Sequence, residues 1–507
     1  MIDTSQNTVE RYFLRSSPLP IFPKNIEKIS TLVVDNYVSL GQLTALRFLE
    51  WVMANPEGVI ALPTGKTPEF FIKWVNYYLS SWKRECDRGI LGRIGFKKRS
   101  KPDFRGLHFI QLDEFFPMDP KHERSFNYFV SQYYLQGFKM DKKKAFLIDT
   151  YRVDEIMKKL IGNIDNIEEA FADGPIDFSL RERQPASDAE ELKKLVIQYY
   201  DQFCEDYENK IRSLGGIGFF LGGIGPDGHV AFNIRGTSHN SVTRLTNLNY
   251  ESQAAAAADL GGIEIVRKKA VITIGLETIL FNPRAVAIIM AAGEAKAKVV
   301  ADALQNDPSI EYPASALQKL AGARFYLTSG AASKLKERSR ILLQENKHVG
   351  GADIERLIID GAIGVNTNLK DLTVRPAKYL SNKDLALAQE LSQKNISQLS
   401  VDAFDSLTDK INQGLTLPKH ERILHMAPHH DDIELAYFPM LHHLVRSQYN
   451  ENIFCYCTSG FTSVTNSYVI AVLQNLSNAI KGKYIYKYSS KKEVSDITLA
   501  EDDITGY

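Results

Sequence analysis

The sequence predicts an α/β protein: a doubly wound, mostly parallel sheet, then a helical connector, then a second, partial α/β unit. Three observations carry this. Short apolar runs repeatedly end in a loop containing Gly, Asp or Ser, and a helical pattern follows each loop. Near residue 371 that alternation gives way to a polar, helical stretch. At Ile423 a new apolar run begins another strand–loop–helix pattern. Strands that alternate with helices are joined by crossovers, which place the strands parallel.

In chain order the runs are Gly58–Leu62 into PTGKTP, Leu107–Leu112 into DEFFPMDP, Gly218–Leu221 into GGIGPDGH and Ala270–Ile274 into GLE. Ala285–Met290 into AAGEAKAK, Phe325–Leu327 into TSGAAS and Ile423–Met426 into APHHDD complete the series. Residues 1–370 are expected to form the first domain and 371–420 the connector, with its segments SNKDLALAQELSQKN and VDAFDSLTDKINQGL. Residues 421–507 form the partial unit, ending in the poorly patterned KKEVSDITLAEDDITGY. That unit is short for an α/β domain, which suggests a piece of a longer chain. No repeat of fixed period is present; Ala254–Ala258 is the one low-complexity run.

Composition excludes several classes. The chain has 507 residues, 44% apolar and 24% charged, which disfavours disorder and fibrous repeats. Lys+Arg and Asp+Glu both number 61, so the basic field of a general nucleic-acid binder is missing. Four cysteines, Cys86, Cys204, Cys455 and Cys457, are too few for a disulfide framework. Cys455 and Cys457 alternate with Phe454 and Tyr456, as in a buried strand rather than a metal knuckle. The first residues lack the apolar core of a signal peptide, and no apolar stretch reaches membrane-span length. A cytoplasmic enzyme, with no nucleic-acid or membrane partner, is expected.

Five loops at predicted strand ends hold the candidate chemistry. In Leu62–Pro68, Gly65 permits close backbone approach, Thr64 and Thr67 offer hydroxyls, and Pro68 can open a helix. Such a junction turns backbone N–H groups towards an anion, and Lys66 adds a cation. The spacing is not that of a P-loop, and a simple turn with a solvated lysine is the alternative. Asp113 and Glu114 follow directly on an apolar run and can serve as a general base beside a partner, or cap a turn. In Phe219–Asn233, Gly222, Gly223, Gly225 and Gly228 surround Asp227 and His229; an Asp two residues from a His can orient the imidazole. Lys296 begins a helix after a strand and can reach an anion there, or lie solvated on the helix face. Finally, His429, His430, Asp431 and Asp432 crowd one strand end as part of a zinc site, with one carboxylate left as base. No His follows His443 to complete such a site.

Taken together, the first three loops resemble the glucosamine-6-phosphate deaminase (isomerase) family. LPTGKTP is similar to its LPTGGTP phosphate loop, QLDEFF to its NMDEY segment, and LGGIGPDGHVAFN to its GGxGxDGHIAFNE segment. AVITIGLETIL and the GEAKA around Lys296 also fit, and the likeness spans about residues 30–340. The resemblance implies a Rossmann-like fold, usually oligomeric, that converts glucosamine 6-phosphate and water to fructose 6-phosphate and ammonia with no cofactor. It implies Asp113 as the base that moves a proton between C2 and C1, and His229, held by Asp227, as the acid/base that opens the sugar ring. Thr64, Gly65, Lys66, Thr67 and Lys296 would surround the substrate phosphate. Thr237 and Arg244 fall at or near an allosteric phosphate site of some members.

Three positions depart from the pattern. Ile234 stands where the family has the glutamate that completes the ring-opening group. Lys66 replaces the second glycine of the phosphate loop, and an expected phosphate arginine falls near Ala258. Lys66 would restore that lost charge. A 6-phosphogluconolactonase-like hydrolase on the same fold, and a non-catalytic sugar-phosphate sensor, are the alternatives. The end of the chain resembles the LmbE-like (PIG-L-type) N-deacetylases through PHHDD. By that resemblance His429 and Asp432 would be zinc ligands and Asp431 the general base, in an incomplete site. The expected partners are a phosphorylated amino sugar and further copies of the chain, as a homo-oligomer.

Overall fold

The computed structural model describes residues 7–96, 100–151, 167–171, 174–260, 262–346, 348–373, 379, 381–429, 431–457, 470, 473–474 and 476–477. They fall into two compact units, Met1–Val349 and Gly350–Tyr507. In the first unit the strands are β1 (Ser30–Val34), β2 (Val59–Ala61), β3 (His108–Ile110), β4 (Asp113–Phe116), β5 (Ala145–Phe146), β6 (Phe219–Gly223), β7 (Arg244–Thr246), β8 (Ala270–Thr273), β9 (Val286–Ala291) and β10 (Ala323–Thr328).

Seven of them form the main sheet, in the order β1-β10-β9-β6-β2-β3-β5, and every pairing in it is parallel. Both of its faces are buried. Val33, Ala61, Ile110, Phe220, Ile289 and Phe325 enter one apolar cluster. Their chain neighbours Leu32, Ile60, Phe109, Phe219, Ile288 and Tyr326 enter the other. Consecutive strand residues point to opposite faces, so a sheet covered on both sides needs unbroken apolar runs, which is how these strands read in the sequence. The covering helices include Tyr37–Ala54, capped by the Asn36 side chain, and Asp188–Ser213, capped by Ser187.

The strand order places the site. From β2 the chain proceeds outward through β3 and β5; from β6 it proceeds the other way through β9 and β10. The crevice outside the carboxyl ends of β2 and β6 is therefore a topological switch point, where open α/β sheets bind ligands.

Two expected elements differ. Ala270–Ile274 does not join the parallel sheet: β8 is the centre of a separate antiparallel sheet, β4-β8-β7. The DEFF residues are neither loop nor helix but strand β4, with Asp113 opposite Thr273 and Phe116 opposite Ala270. Their aromatic pair suits a pleated, covered surface, and both rings are buried.

In the second unit the helices Gly351–Gly364, Lys383–Ser392 and Ile396–Leu415 precede β11 (Arg422–Ala427), the helix Asp432–Arg446 and β12 (Glu451–Tyr456). The units divide after Val349 rather than after residue 370, because Gly351–Gly364 packs on Lys383–Ser392. Gly361 permits that approach: a methyl there would lie 2.5 Å from Leu385. β11 and β12 pair in parallel as a two-stranded sheet. Cys455 and Cys457 are exposed, against the buried strand expected for them. The tail after 477 lies outside the described residues. Among those described, no helix is long and apolar enough to cross a membrane.

Candidate active site

A cleft of about 280 Å³ opens at the switch point, lined by Pro63, Thr64, Thr67, Asp113, Phe126, Gly222, Gly223, Gly225, His229, Phe232 and Lys296 among others. A larger cavity, about 550 Å³, lies between Asn76, Lys101, Arg105 and Lys139, but it holds none of the motif residues. Polar groups that converge on one strand-end crevice, not volume, mark the site.

The loop after β2 is built for close approach. Gly65 adopts φ +77°, which glycine reaches without strain, and turns the chain towards the helix Glu69–Arg88. Two distant tyrosines pin this loop. The Tyr134 hydroxyl donates to the Pro63 carbonyl at 2.5 Å, and the Tyr37 hydroxyl lies 2.7 and 2.6 Å from the Lys66 and Thr67 carbonyls. Gly223 on β6 leaves room beside Thr67, whose Oγ1 would lie 3.5 Å from a methyl there. Thr64 and Thr67 line the cleft; Gly65 and Lys66 are exposed and do not. The expected replacement of a phosphate charge by Lys66 therefore finds no support in its position, since the turn that Gly65 makes carries Lys66 to the surface. Lys296 does reach the cleft. It is half-buried, and burial lowers its ammonium pKa while the charge of Asp227 opposes this.

Asp113 and Glu114 part company on β4. Glu114 points into the protein and accepts from Ser125 Oγ at 2.7 Å and from the N–H groups of Asn127 at 2.7 Å, Phe115 at 3.0 Å and Phe126 at 3.2 Å. Burial still raises its carboxyl to about 7, with these donors opposing. Asp113 faces the cleft, and among the described residues nothing donates to its carboxylate. Burial first, and the Glu114 charge second, push it up to about 8. The donors around Glu114 favour its anion, whereas burial disfavours that of Asp113.

On the opposite wall Asp227 Oδ1 receives a short hydrogen bond from His229 Nδ1. Burial opposes the charge on Asp227, but that hydrogen bond, the imidazole's charge and the Arg235 N–H hold it well below the usual carboxylate range. With Nδ1 occupied, Nε2 is the nitrogen left for chemistry. The Phe232 ring stacks on the imidazole at a centroid distance of 6.0 Å. Gly225 also lies against the ring, where a methyl would lie 2.1 Å from Cε1.

Sequence reasoning missed four contributors: Tyr37, Tyr134, Phe232 and Asn249, whose amide donates to Asp227 Oδ2 at 2.8 Å. The contacts of Tyr37, Tyr134 and Asn249 cross 22 to 71 residues of chain, so no local pattern announces them.

Thr237 and Arg244 do come together, outside the cleft lining. Arg244 donates to Asn233 Oδ1 at 2.9 Å and lies 3.5 Å from Thr237 Oγ1. Ile234 is half-buried and outside the lining; Ala258 lies in the helix Tyr250–Leu260, its side chain outside the described residues. In the second unit His429, Asp431 and Asp432 each offer one ligand atom within 4.8 Å of the others. Asp431, expected as a base, thus stands beside His429 and Asp432, the two expected ligands. His430 lies outside the described residues.

One strand-end cleft thus gathers a buried carboxylate, a carboxylate–histidine pair and a lysine, groups that can move protons and hold an anion. The particular likeness is to glucosamine-6-phosphate deaminases, over about 60% of the chain. The proteins so named from Bacillus velezensis and Clostridium botulinum are 28% and 26% identical over 290 and 305 residues, covering 57% and 60% of this chain and 92% and 98% of those relatives. No family model matches. A solved monomeric glucosamine-6-phosphate deaminase aligns at 24% identity and TM-score 0.44, covering 60% of this chain and 99% of that one. A 6-phosphogluconolactonase from Trypanosoma cruzi aligns at 16% and 0.40, covering 61% and 97%.

Proposed function

We propose that the first unit deaminates and isomerises an amino-sugar phosphate, converting glucosamine 6-phosphate and water to fructose 6-phosphate and ammonia. The observation that carries this is the convergence of Asp113, the Asp227–His229 pair, Thr64, Thr67 and Lys296 on one cleft. Lys296 and the threonine hydroxyls bind the phosphate dianion. His229 Nε2 takes the proton of the anomeric hydroxyl and returns one to the ring oxygen, which opens the ring. Asp113 then removes the proton from C2 of the open aldose and delivers it to C1. The C1 carbonyl becomes a hydroxymethyl group, its oxygen gaining the proton that the amine nitrogen gives up as C2 becomes an imine; water adds at C2, and ammonia leaves. No oxidant or reductant is consumed.

A turnover screen of phosphorylated amino sugars, read by ammonia and ketose, tests the reading. Lactone hydrolysis without ammonia would replace it with the lactonase alternative, and binding without turnover with the sensor. Light scattering tests the homo-oligomer, and fractionation of the source cells the cytoplasmic location.

The two lysines separate in this reading. Lys296→Met should raise KM for the phosphorylated sugar by about 10- to 10²-fold, the worth of a charge-assisted hydrogen bond. Lys66→Ala should change it less than about 3-fold, within the small effects of exposed charges. Equal effects would return Lys66 to the phosphate site.

For the second unit, the LmbE-like resemblance is kept as a proposal: His429 and Asp432 would hold zinc, which would supply an activated water. Zinc titration of the whole chain should show one site that His429→Ala weakens at least about 10-fold. Equal binding by the variant would remove His429 from it.

A further inference from the structure

We infer that Asn249 is a positioning residue for His229: its amide holds the outer oxygen of Asp227, so that the inner oxygen stays on Nδ1 and Nε2 is turned to the cleft. The geometry stands by itself; only the consequence for turnover rests on the deaminase reading.

Phe232 and Gly225 both pack against the His229 ring, as described. Among the described residues, the hydrogen bond that orients the ring is the one from Nδ1 to Asp227. Besides His229, the Asp227 carboxylate is held by its own backbone N–H and by two donors to Oδ2. Its Oδ2 receives Asn249 Nδ2 at 2.8 Å and the Arg235 N–H at a long 3.4 Å. Ile234 adds no polar side-chain atom, although the resemblance leads one to expect a carboxylate there. Of the two donors to Oδ2, Asn249 is the closer, and it is the side chain that braces the carboxylate from outside its own loop.

The amide is locked in its turn. Asn249 stands at the start of the helix Tyr250–Leu260, where its Oδ1 accepts from the Ser252 N–H at 2.9 Å and its carbonyl from the Gln253 N–H at 2.9 Å. With Oδ1 used as the helix cap, Nδ2 must be the end that meets Asp227. One side chain thus ties a helix end to the acid/base pair. Among the described residues, the titratable groups that line the same cleft are Lys296, whose ammonium the Asp227 charge favours, and Asp113. The Arg235 guanidinium is turned to Glu311, 3.9 Å away.

The two roles of Asn249 can be separated. Asn249→Ser and Asn249→Asp both keep an oxygen that caps the helix. Serine is too short to donate to Asp227, and aspartate replaces the donor with a like charge. Both variants should keep the wild-type melting temperature to within a few degrees. Both should lower kcat on glucosamine 6-phosphate about 10-fold or more, with KM changed less than about 3-fold, since a misaimed base loses part of its 10²–10⁴-fold contribution. In Asn249→Asp the ¹⁵N-detected titration of His229 should move to higher pH, because a second carboxylate favours the imidazolium. In an Asp227→Asn background, Asn249→Ser should cost almost nothing further, since the brace then has nothing to hold.

Wild-type kcat and an unmoved His229 titration in both variants would reduce Asn249 to a helix cap and overturn the inference. Additive losses in the double variant would do the same. If the variants fold poorly, the wild-type spectrum decides: neutral His229 should carry its proton on Nδ1, and a proton on Nε2 sinks the proposal. Absence of turnover by the wild type would sink the deaminase reading and leave the spectroscopic test standing.

Discussion

Asp113→Asn should lower kcat on glucosamine 6-phosphate by about 10²-fold or more and leave KM nearly unchanged. The substitution keeps shape and hydrogen-bonding capacity but removes the base. The phosphate contacts, which set most of the binding, lie on other loops. Unchanged turnover would remove Asp113 from the mechanism. The pH profile gives a second test. Burial and the neighbouring Glu114 push the Asp113 carboxyl up to about 8, and a base works only when ionised. The wild-type kcat/KM should therefore rise with pH up to about 8, while that limb should vanish from the residual activity of Asp113→Asn. Stability should run the other way. A carboxyl raised from 3.8 to about 8 in the folded state stabilises most below the lower value and loses that contribution as pH climbs through the higher one. Asn has no such charge to bury. The melting temperature of Asp113→Asn should thus gain on the wild type between about pH 4 and pH 8. A constant gap would mean that the site is wetter than its burial suggests.

What could be read in the chain before its structure follows physical rules. The parallel strands were legible because a sheet buried on both faces demands unbroken apolar runs, as in Phe219–Leu221 and Val286–Met290. The loops were legible because they leave those strands with glycine where close approach is needed, as at Gly223 and Gly225. The antiparallel β4-β8-β7 sheet was not: Ala270–Thr273 is as apolar as a parallel strand, and only its partners reveal the difference. Lys66 shows the limit within a motif. Its place in LPTGKTP suggested the phosphate, yet one left-handed residue before it sets it at the surface. Asn249 shows the limit between motifs. An Asn at a helix start reads as a cap and nothing more, because its second contact lies 22 residues away across the fold.

His229→Gln should also cost about 10²-fold or more, but in a different step from Asp113→Asn, and an isotope effect can tell them apart. Glutamine can still donate and accept hydrogen bonds, so the cleft should bind sugar phosphate as before. It cannot take the anomeric proton and return one to the ring oxygen, so ring opening should limit the reaction. Cleavage of the C2–H bond comes later. Deuterium at C2 should then have almost no effect on the rate of His229→Gln, whereas in Asp113→Asn the C2 step is slowed and the isotope effect should be fully expressed. Asp227→Asn should resemble His229→Gln, because the amide can donate to Nδ1 and so favour the tautomer with its proton on Nε2. If deuterium slows His229→Gln as much as Asp113→Asn, the histidine serves the enolisation instead, and the ring opens without its help. That outcome would fit the isoleucine at 234, where the ring-opening group lacks a carboxylate, and it would move the work of the Asp227–His229 pair to the later proton transfers at C1 and nitrogen.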